Sequence, residues 1–374
     1  MPWNDIAVTF AALVLALIIG AFLMIITDAE ILDKWSYFFA RPLDALAASW
    51  DKIARAYTAL FLGSAGSWSA ITDSAAQAAP LICGGLSVGL AFRAGLFNIG
   101  AQGQAIMASM FGAWAGFSFI GLPMIIHLPL AIVFGVLAGA FWGGIVGFLK
   151  AKTGAHEVIV TIMLNYVANK LLAWLLATPL LQDPNRSDPI SPQIAWNATL
   201  PRLEGGRLHF GVLLALLAAF AVWWLLERTT LGFQIRAVGT NPHASATAGM
   251  SVSYVTVMTM VIAGGLAGLA GVQAALAPSE AGTAIPLSNG LVGTIGFDAI
   301  TVALLGRSKP FGIVLAGLLF GALEAGGLAM QGAQVSSADL TRVLQAVIVL
   351  FIAAPGLVKL LVPFLKVGKV SSVA

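Results

Sequence analysis

What most constrains this chain is a succession of apolar stretches, each about long enough to cross a bilayer, with little charge between them. Ten can be marked, at about 6–27, 70–92, 101–121, 127–149, 158–179, 209–226, 253–277, 291–306, 311–330 and 341–358. A helix needs roughly 20 apolar residues to traverse about 30 Å of hydrocarbon. In lipid the backbone must satisfy its own hydrogen bonds, which restricts spanning segments to helices or closed barrels. Composition agrees, with 59% hydrophobic and 9% charged residues over 374 positions, where an ordinary soluble domain carries about 25% charge. A soluble enzyme, a disordered regulator and a disulfide scaffold are excluded; the single cysteine, Cys83, has no internal partner. The expected fold is all-α: one polytopic transmembrane domain over 1–374, with about ten spans. The first segment lacks a basic start and a small-residue cleavage site, so it reads as a retained anchor.

A net charge of +3 would suggest nucleic acid in a soluble chain. Here the cations fall mostly in short loops, where they report orientation, so the expected surroundings are membrane lipid and not nucleic acid. Arg93, Lys150 and Lys152, Arg228 and Arg236, Arg307 and Lys309, and Lys359 share one side; Asp28, Asp44, Asp51, Asp183 and Asp188 share the other. The positive-inside rule then puts both termini in the cytoplasm. Spans two to five begin outside and spans seven to ten begin inside, the topology of an inverted repeat. In the outer loop, 28–69, Leu43, Leu46, Trp50, Ile53, Tyr57 and Phe61 recur at helical steps opposite Asp44, Asp51, Lys52 and Arg55. That pattern predicts an amphipathic helix at 42–61 along the outer interface.

Recognisable catalytic chemistry is missing. No phosphate-cradling GxxxxGK[S/T] loop occurs, the four histidines are scattered without metal-ligand spacing, and Gly85-x-Ser87-x-Gly89 sits inside a span, where it reads as small-residue packing. The chain is expected to be no enzyme and to bind no metal or cofactor. Gly135, Gly139, Gly143 and Gly147 form a ladder at every fourth position, as do Gly264 and Gly268, which invites close helix–helix approach.

Polar residues inside the spans carry the functional signal. Asn98, Gln102 and Gln104 stand among Gly95, Gly100 and Gly103 where two spans nearly touch. Amides are costly in hydrocarbon unless paired, and such a glycine density predicts a broken or re-entrant helix lining a cavity. Thr161 and Asn165 share a helix face, and Asp298 and Glu324 place carboxylates within spans. In the cytoplasmic loop 227–252, Asn241 suits an N-cap, Pro242 the first helical position and Gly249 the stop, with only small residues and His243 between. So short a helix has little bulk of its own to bury and suits insertion into another protein's groove.

At FRAGLFNIGAQGQ (92–104), KTGAHEVIVTIMLNYVA (152–168), RAVGTNPHASATAGM (236–250) and GFDAITVALLGRSKPFG (296–312) the sequence resembles the membrane subunit of an ABC importer. The family is the one shared by ribose-type sugar, branched-chain amino acid and nucleoside permeases, and the wording is most similar to the longer permease of nucleoside importers. The resemblance implies a bacterial cytoplasmic-membrane subunit that forms half of a solute pathway. Its partners would be a cytoplasmic ABC ATPase, which alone handles ATP, a second permease, and an extracytoplasmic binding lipoprotein or periplasmic binding protein. Asn98, Gln102, Thr161, Asn165 and Asp298 would lie at the translocation path. Gly239, Asn241, Pro242, Ala244, Ala246 and Gly249 would form the ATPase coupling segment. Two alternatives stand beside this reading: a simple-sugar permease of the same architecture, and an ion-coupled secondary transporter using Asp298 and Glu324.

Overall fold

The computed structural model describes residues 3–203, 206–279, 281–333 and six positions between 342 and 351. Among these, thirteen α-helices follow one another: α1 (Trp3–Ile26), α2 (Ala29–Ser36), α3 (Pro42–Ala65), α4 (Trp68–Arg93), α5 (Ala101–Ser118), α6 (Met124–Thr153), α7 (Glu157–Leu176), α8 (Gly211–Arg228), α9 (Thr230–Thr240), α10 (Pro242–Thr247), α11 (Val252–Leu276), α12 (Ile295–Leu305) and α13 (Pro310–Gly332). Apart from these helices, the described residues contain a single short 3-10 turn and three isolated bridges, with no named strand. The protein is an all-helical, polytopic membrane protein.

Six helices, α4, α6, α7, α8, α11 and α13, are long and apolar enough to cross a membrane, and the pair Val14–Ile26 and Ala29–Ser36, bent by 79°, would make seven. The departures from ten have physical reasons. Helix α5 has the length but carries Gln102, Gln104 and glycines; 14 of its 18 residues are buried, so protein, not lipid, surrounds it. Helix α12, with 11 residues, rises only about 16 Å. The segment expected at 341–358 lies largely outside the described residues.

Residues Thr72–Gly321 form one compact unit, and the described parts of Met1–Ile71 and Ala322–Ala374 form another. In the first unit, α5, α6 and α11 pack most extensively against one another, and the glycine ladder is the cause. A Cβ on Gly139 would sit 2.5 Å from the Gly264 carbonyl oxygen and 2.7 Å from Gly268 Cα, so side chains there would force the helices apart. In lipid, where burying apolar surface gains nothing, that close backbone approach is what holds helices together. Elsewhere Leu81, Ile82, Leu86, Leu90, Ile235 and Met260 join one apolar core, and Leu172, Leu176, Ile194 and Leu276 another.

In the second unit, α3 is the helix expected at 42–61; Tyr57 and Leu60 pack on an apolar cluster with Ala16 and Met24, but the bulky residues of its first turns do not turn inward. Ala45, Ser49 and Ala56 are buried, while Leu43, Leu46 and Trp50 are exposed. Lys52 pairs with Asp28 at 2.9 Å, and the Trp35 indole N–H donates to Ser49 Oγ at 3.1 Å, so small and polar groups make the inner seam.

Candidate functional site

The chain breaks between α4 and α5. Leu96 N–H bonds back to the Ala91 carbonyl, Gly95 adopts the left-handed region at φ +70°, and the helix restarts at Ala101. Asn98 repairs the gap: its Oδ1 accepts from Gly100 N–H at 3.2 Å, and its Nδ2 donates to Ser87 Oγ at 3.1 Å. Asn98 and Gln104 also exchange amide hydrogen bonds reciprocally, each at 3.0 Å. Ser87, an unlikely nucleophile by sequence context, is thus a buried acceptor in this network.

Two more amides carry the network to neighbouring helices. Gln102 donates to the Gly293 carbonyl at 2.7 Å and accepts from Gly296 N–H at 2.8 Å. It thereby completes the backbone at the turn that opens α12, where Gly293 has φ +55°. Asn165 of α7 accepts from Gly103 N–H at 2.8 Å and donates to the Ile99 carbonyl at 2.9 Å. Gly100 and Gly103 permit that approach, since a Cβ on either would press on Thr161 or Asn165 at about 3.0 Å or less. Asn98, Gln102, Gln104, Thr161 and Asn165 are all buried. The structure therefore brings four of the five expected path residues together, as a satisfied polar staple joining α5, α7 and α12. Unsatisfied, each such buried group would cost about 1–3 kcal/mol.

Asp298, the fifth, stands in the first turn of α12, where the helix dipole favours a carboxylate; Thr294 Oγ1 donates to its Oδ2 at 2.7 Å. Gln102 reaches the same turn through Gly293 and Gly296, so Asp298 adjoins the staple. Glu324 lies on an exposed position of α13.

Helix α7 has a second, different face. Glu157, Thr161, Asn165, Ala168, Leu172 and Leu176 are buried; Met163, Tyr166, Asn169, Lys170 and Trp174 are exposed. It is the least buried of the six spanning helices, 22% over its apolar window against 72% for α4. The Lys170 ammonium lies 5.4 Å from the centroid of the Tyr166 ring. A charge facing lipid at the middle of a span costs about 3 kcal/mol even on insertion scales. Asn169 and Lys170 are expected from sequence near the outer end of this span; that Met163, Tyr166, Lys170 and Trp174 share a face is legible in their spacing of three and four residues.

The loop 227–252 forms as its residues require. Asn241 Oδ1 accepts from Ala244 N–H at 3.0 Å, Pro242 opens α10, and Gly249 ends it at φ +85° with Met250 N–H bonding back to the Ser245 carbonyl. Only Ser245 of this helix is buried; Pro242, His243, Ala244, Ala246 and Thr247 are exposed. An open cavity of about 610 Å³ beside it is walled by Arg228, Thr230, Phe233, Arg236 and Met250. Gly239 points the other way. A Cβ there would strike the Arg93 backbone, and Gly95 meets Gly239 in return. The loop is thus seated on the break that the staple secures, and Arg93 Nε donates to the Ser308 carbonyl at 3.0 Å, tying in the α12–α13 turn.

Buried amides at a broken helix, a short half-span and an exposed small-residue helix on a polytopic bundle define a membrane transport component. The chain matches the family described as branched-chain amino acid transport system, permease component, over residues 70–353, and it belongs to that family. It is 39% identical to the guanosine ABC transporter permease protein NupP of Bacillus subtilis over 81% of this chain and 86% of that one. It is 35% identical to the nucleoside ABC transporter permease protein NupB of Lactococcus lactis, covering 84% and 87%. To the glucose ABC transporter permease protein TsgB13 of Haloferax volcanii it is also 35% identical, covering 79% of each. A second guanosine permease of Bacillus subtilis, NupQ, is 28% identical over 65% of this chain and 77% of that one. No solved structure matches the chain.

Proposed function

We infer that this permease forms one half of the pathway of an ATP-driven nucleoside importer in the bacterial cytoplasmic membrane. The observation that carries the substrate class is the 39% identity to a guanosine permease over most of both chains. The existence of NupP and NupQ in one bacterium supports a second, different permease as the partner. A separate cytoplasmic ATPase supplies the energy, and an extracytoplasmic binding protein delivers the solute. The chain itself catalyses no reaction, and both termini are cytoplasmic. Ten spans, with α12 as a half-span, and an inverted repeat pairing α4–α7 with α11 to 358 complete the reading.

Coupling runs through a continuous set of contacts. The exposed face of α10, centred on Ala244 and Ala246, seats on the ATPase. Its motion reaches Gly239, whose backbone packs on Arg93, and so the break before α5. From there Asn98, Gln102 and Asn165 transmit displacement to α12 and α7, because a fully bonded amide network moves as a unit. The staple residues thus stand at the path as its hinge, and Asp298 moves with α12.

The test is uptake of labelled guanosine and glucose by the reconstituted complex of ATPase, both permeases and receptor. ATP-dependent guanosine uptake is expected; uptake of glucose instead would establish the sugar reading, which the 35% identity to TsgB13 favours as the second choice.

A further inference from the structure

The exposed faces of the spanning helices differ in kind. On α6 the exposed residues include Ile125, Ile126, Val133, Leu137, Phe141 and Phe148; on α8 they include Leu213, Leu216, Leu217, Phe220 and Trp224. These are surfaces that lipid can cover without loss. On α7 the corresponding face sets Tyr166, Lys170 and Trp174 among Ile159, Met163 and Val167, with Asn169 exposed beside it.

Position along the helix sharpens the contrast. Tyr166 is the tenth of the 20 residues of α7, so its Cα lies about 15 Å from either end. A lysine near a helix end normally extends its ammonium to the interface. Lys170 instead folds back one turn over the Tyr166 ring, toward the middle of the span. Lys170 starts about 9 Å from the C-terminal end of α7, and an ammonium turned back from that end calls for water or a polar partner. The opposite face of the same helix is fixed to α5 through Asn165 and Gly103, so this face is rigidly presented and adjoins the hinge.

We propose that the Met163–Tyr166–Lys170–Trp174 face of α7 lines the water-filled solute path. Tyr166 and Trp174 are the aromatic surfaces on which a flat ring stacks, as rings do on tyrosine and tryptophan elsewhere. Lys170 supplies a donor for the hydroxyls and ring edges of an uncharged polar solute, with the exposed Asn169 amide beside this face. The assignment rests on the importer reading above and adds residues that bear directly on substrate choice.

Cys83 is the chain's single cysteine and is buried, so introduced thiols report on a silent background. The experiment uses the complete reconstituted importer with Met163→Cys, Tyr166→Cys and Lys170→Cys, and with Phe141→Cys and Phe220→Cys as lipid-face controls. The probe is a membrane-impermeant, charged methanethiosulfonate. Labelling at least tenfold faster at the three α7 positions than at both controls is expected. Rates equal to those controls place the face in lipid or against protein and overturn the proposal, whatever the solute proves to be. The second readout is protection by the solute that the complex takes up, tested with guanosine and with glucose. At least fivefold slower labelling of Tyr166→Cys is expected; fast labelling that the transported solute leaves unchanged overturns the stacking role. Protection by glucose alone would replace the nucleoside reading and leave the α7 assignment standing.

Discussion

The two faces of α7 carry similar residues under opposite conditions. Thr161 and Asn165 are buried against α5, and every amide hydrogen bond of Asn165 closes on a named backbone group. Tyr166 and Lys170, more than a quarter turn away, are exposed on the same span. A polar group in a membrane protein is tolerated either by complete satisfaction or by access to water, and one helix here shows both. The buried face therefore sets stability and transmits motion, whereas the exposed face sets what passes.

That division breaks if substitutions on the two faces have like effects. Gln102→Leu should have the largest consequence for folding, since it strips partners from the Gly293 carbonyl and the Gly296 amide at once. A loss of about 2–5 kcal/mol is expected, read as a fall in the detergent-solubilised melting temperature and in yield. Next comes pH. His209, in the turn ahead of α8, is buried, accepts from Gly211 N–H through Nδ1, and is pushed down from 6.5 to about 4 by desolvation. Its folded value lies below its unfolded one, so the contribution is present above about 6.5 and is lost as pH falls from there toward about 4. The full loss is about 3 kcal/mol. His209→Gln should flatten the dependence of melting temperature on pH across that window; an unchanged slope would assign the titration elsewhere.

Smaller effects follow on function alone. Ala246→Glu on α10 should reduce ATP-driven uptake about tenfold, equivalent to roughly 1.4 kcal/mol, with normal insertion and melting temperature. Undiminished uptake would remove α10 from the coupling route. Lys170→Gln should change stability by less than about 0.5 kcal/mol while raising the KM for uptake; a large drop in melting temperature would mean that Lys170 is structural, and the comparison would fail.

Much of this was legible in the residues because local chemistry dictates it. Asn241, Pro242 and Gly249 each serve a backbone position in a short helix, and they form it. The glycine ladder implied close approach, and Gly139 meets Gly264. The amides at 98, 102 and 104 had to find partners, but which ones depends on non-local geometry: Gln102 reaches Gly293, 191 residues away. The outer helix shows the limit of amphipathic reading in a bilayer. Leu43, Leu46 and Trp50 face outward while Ala45, Ser49 and Ala56 face inward, because small side chains make helix contacts where lipid already covers apolar bulk. The apolar stretch at 101–121 is likewise a helix, α5, but one whose glutamines are screened by protein rather than by lipid.

The most direct test of the account is labelled guanosine uptake into proteoliposomes holding the ATPase, both permeases and the receptor. Uptake should require ATP, persist when an ionophore collapses ion gradients, and fall about tenfold with Ala246→Glu while the ATPase stays bound. Uptake by this chain alone, abolished by the ionophore and indifferent to ATP, would contradict it.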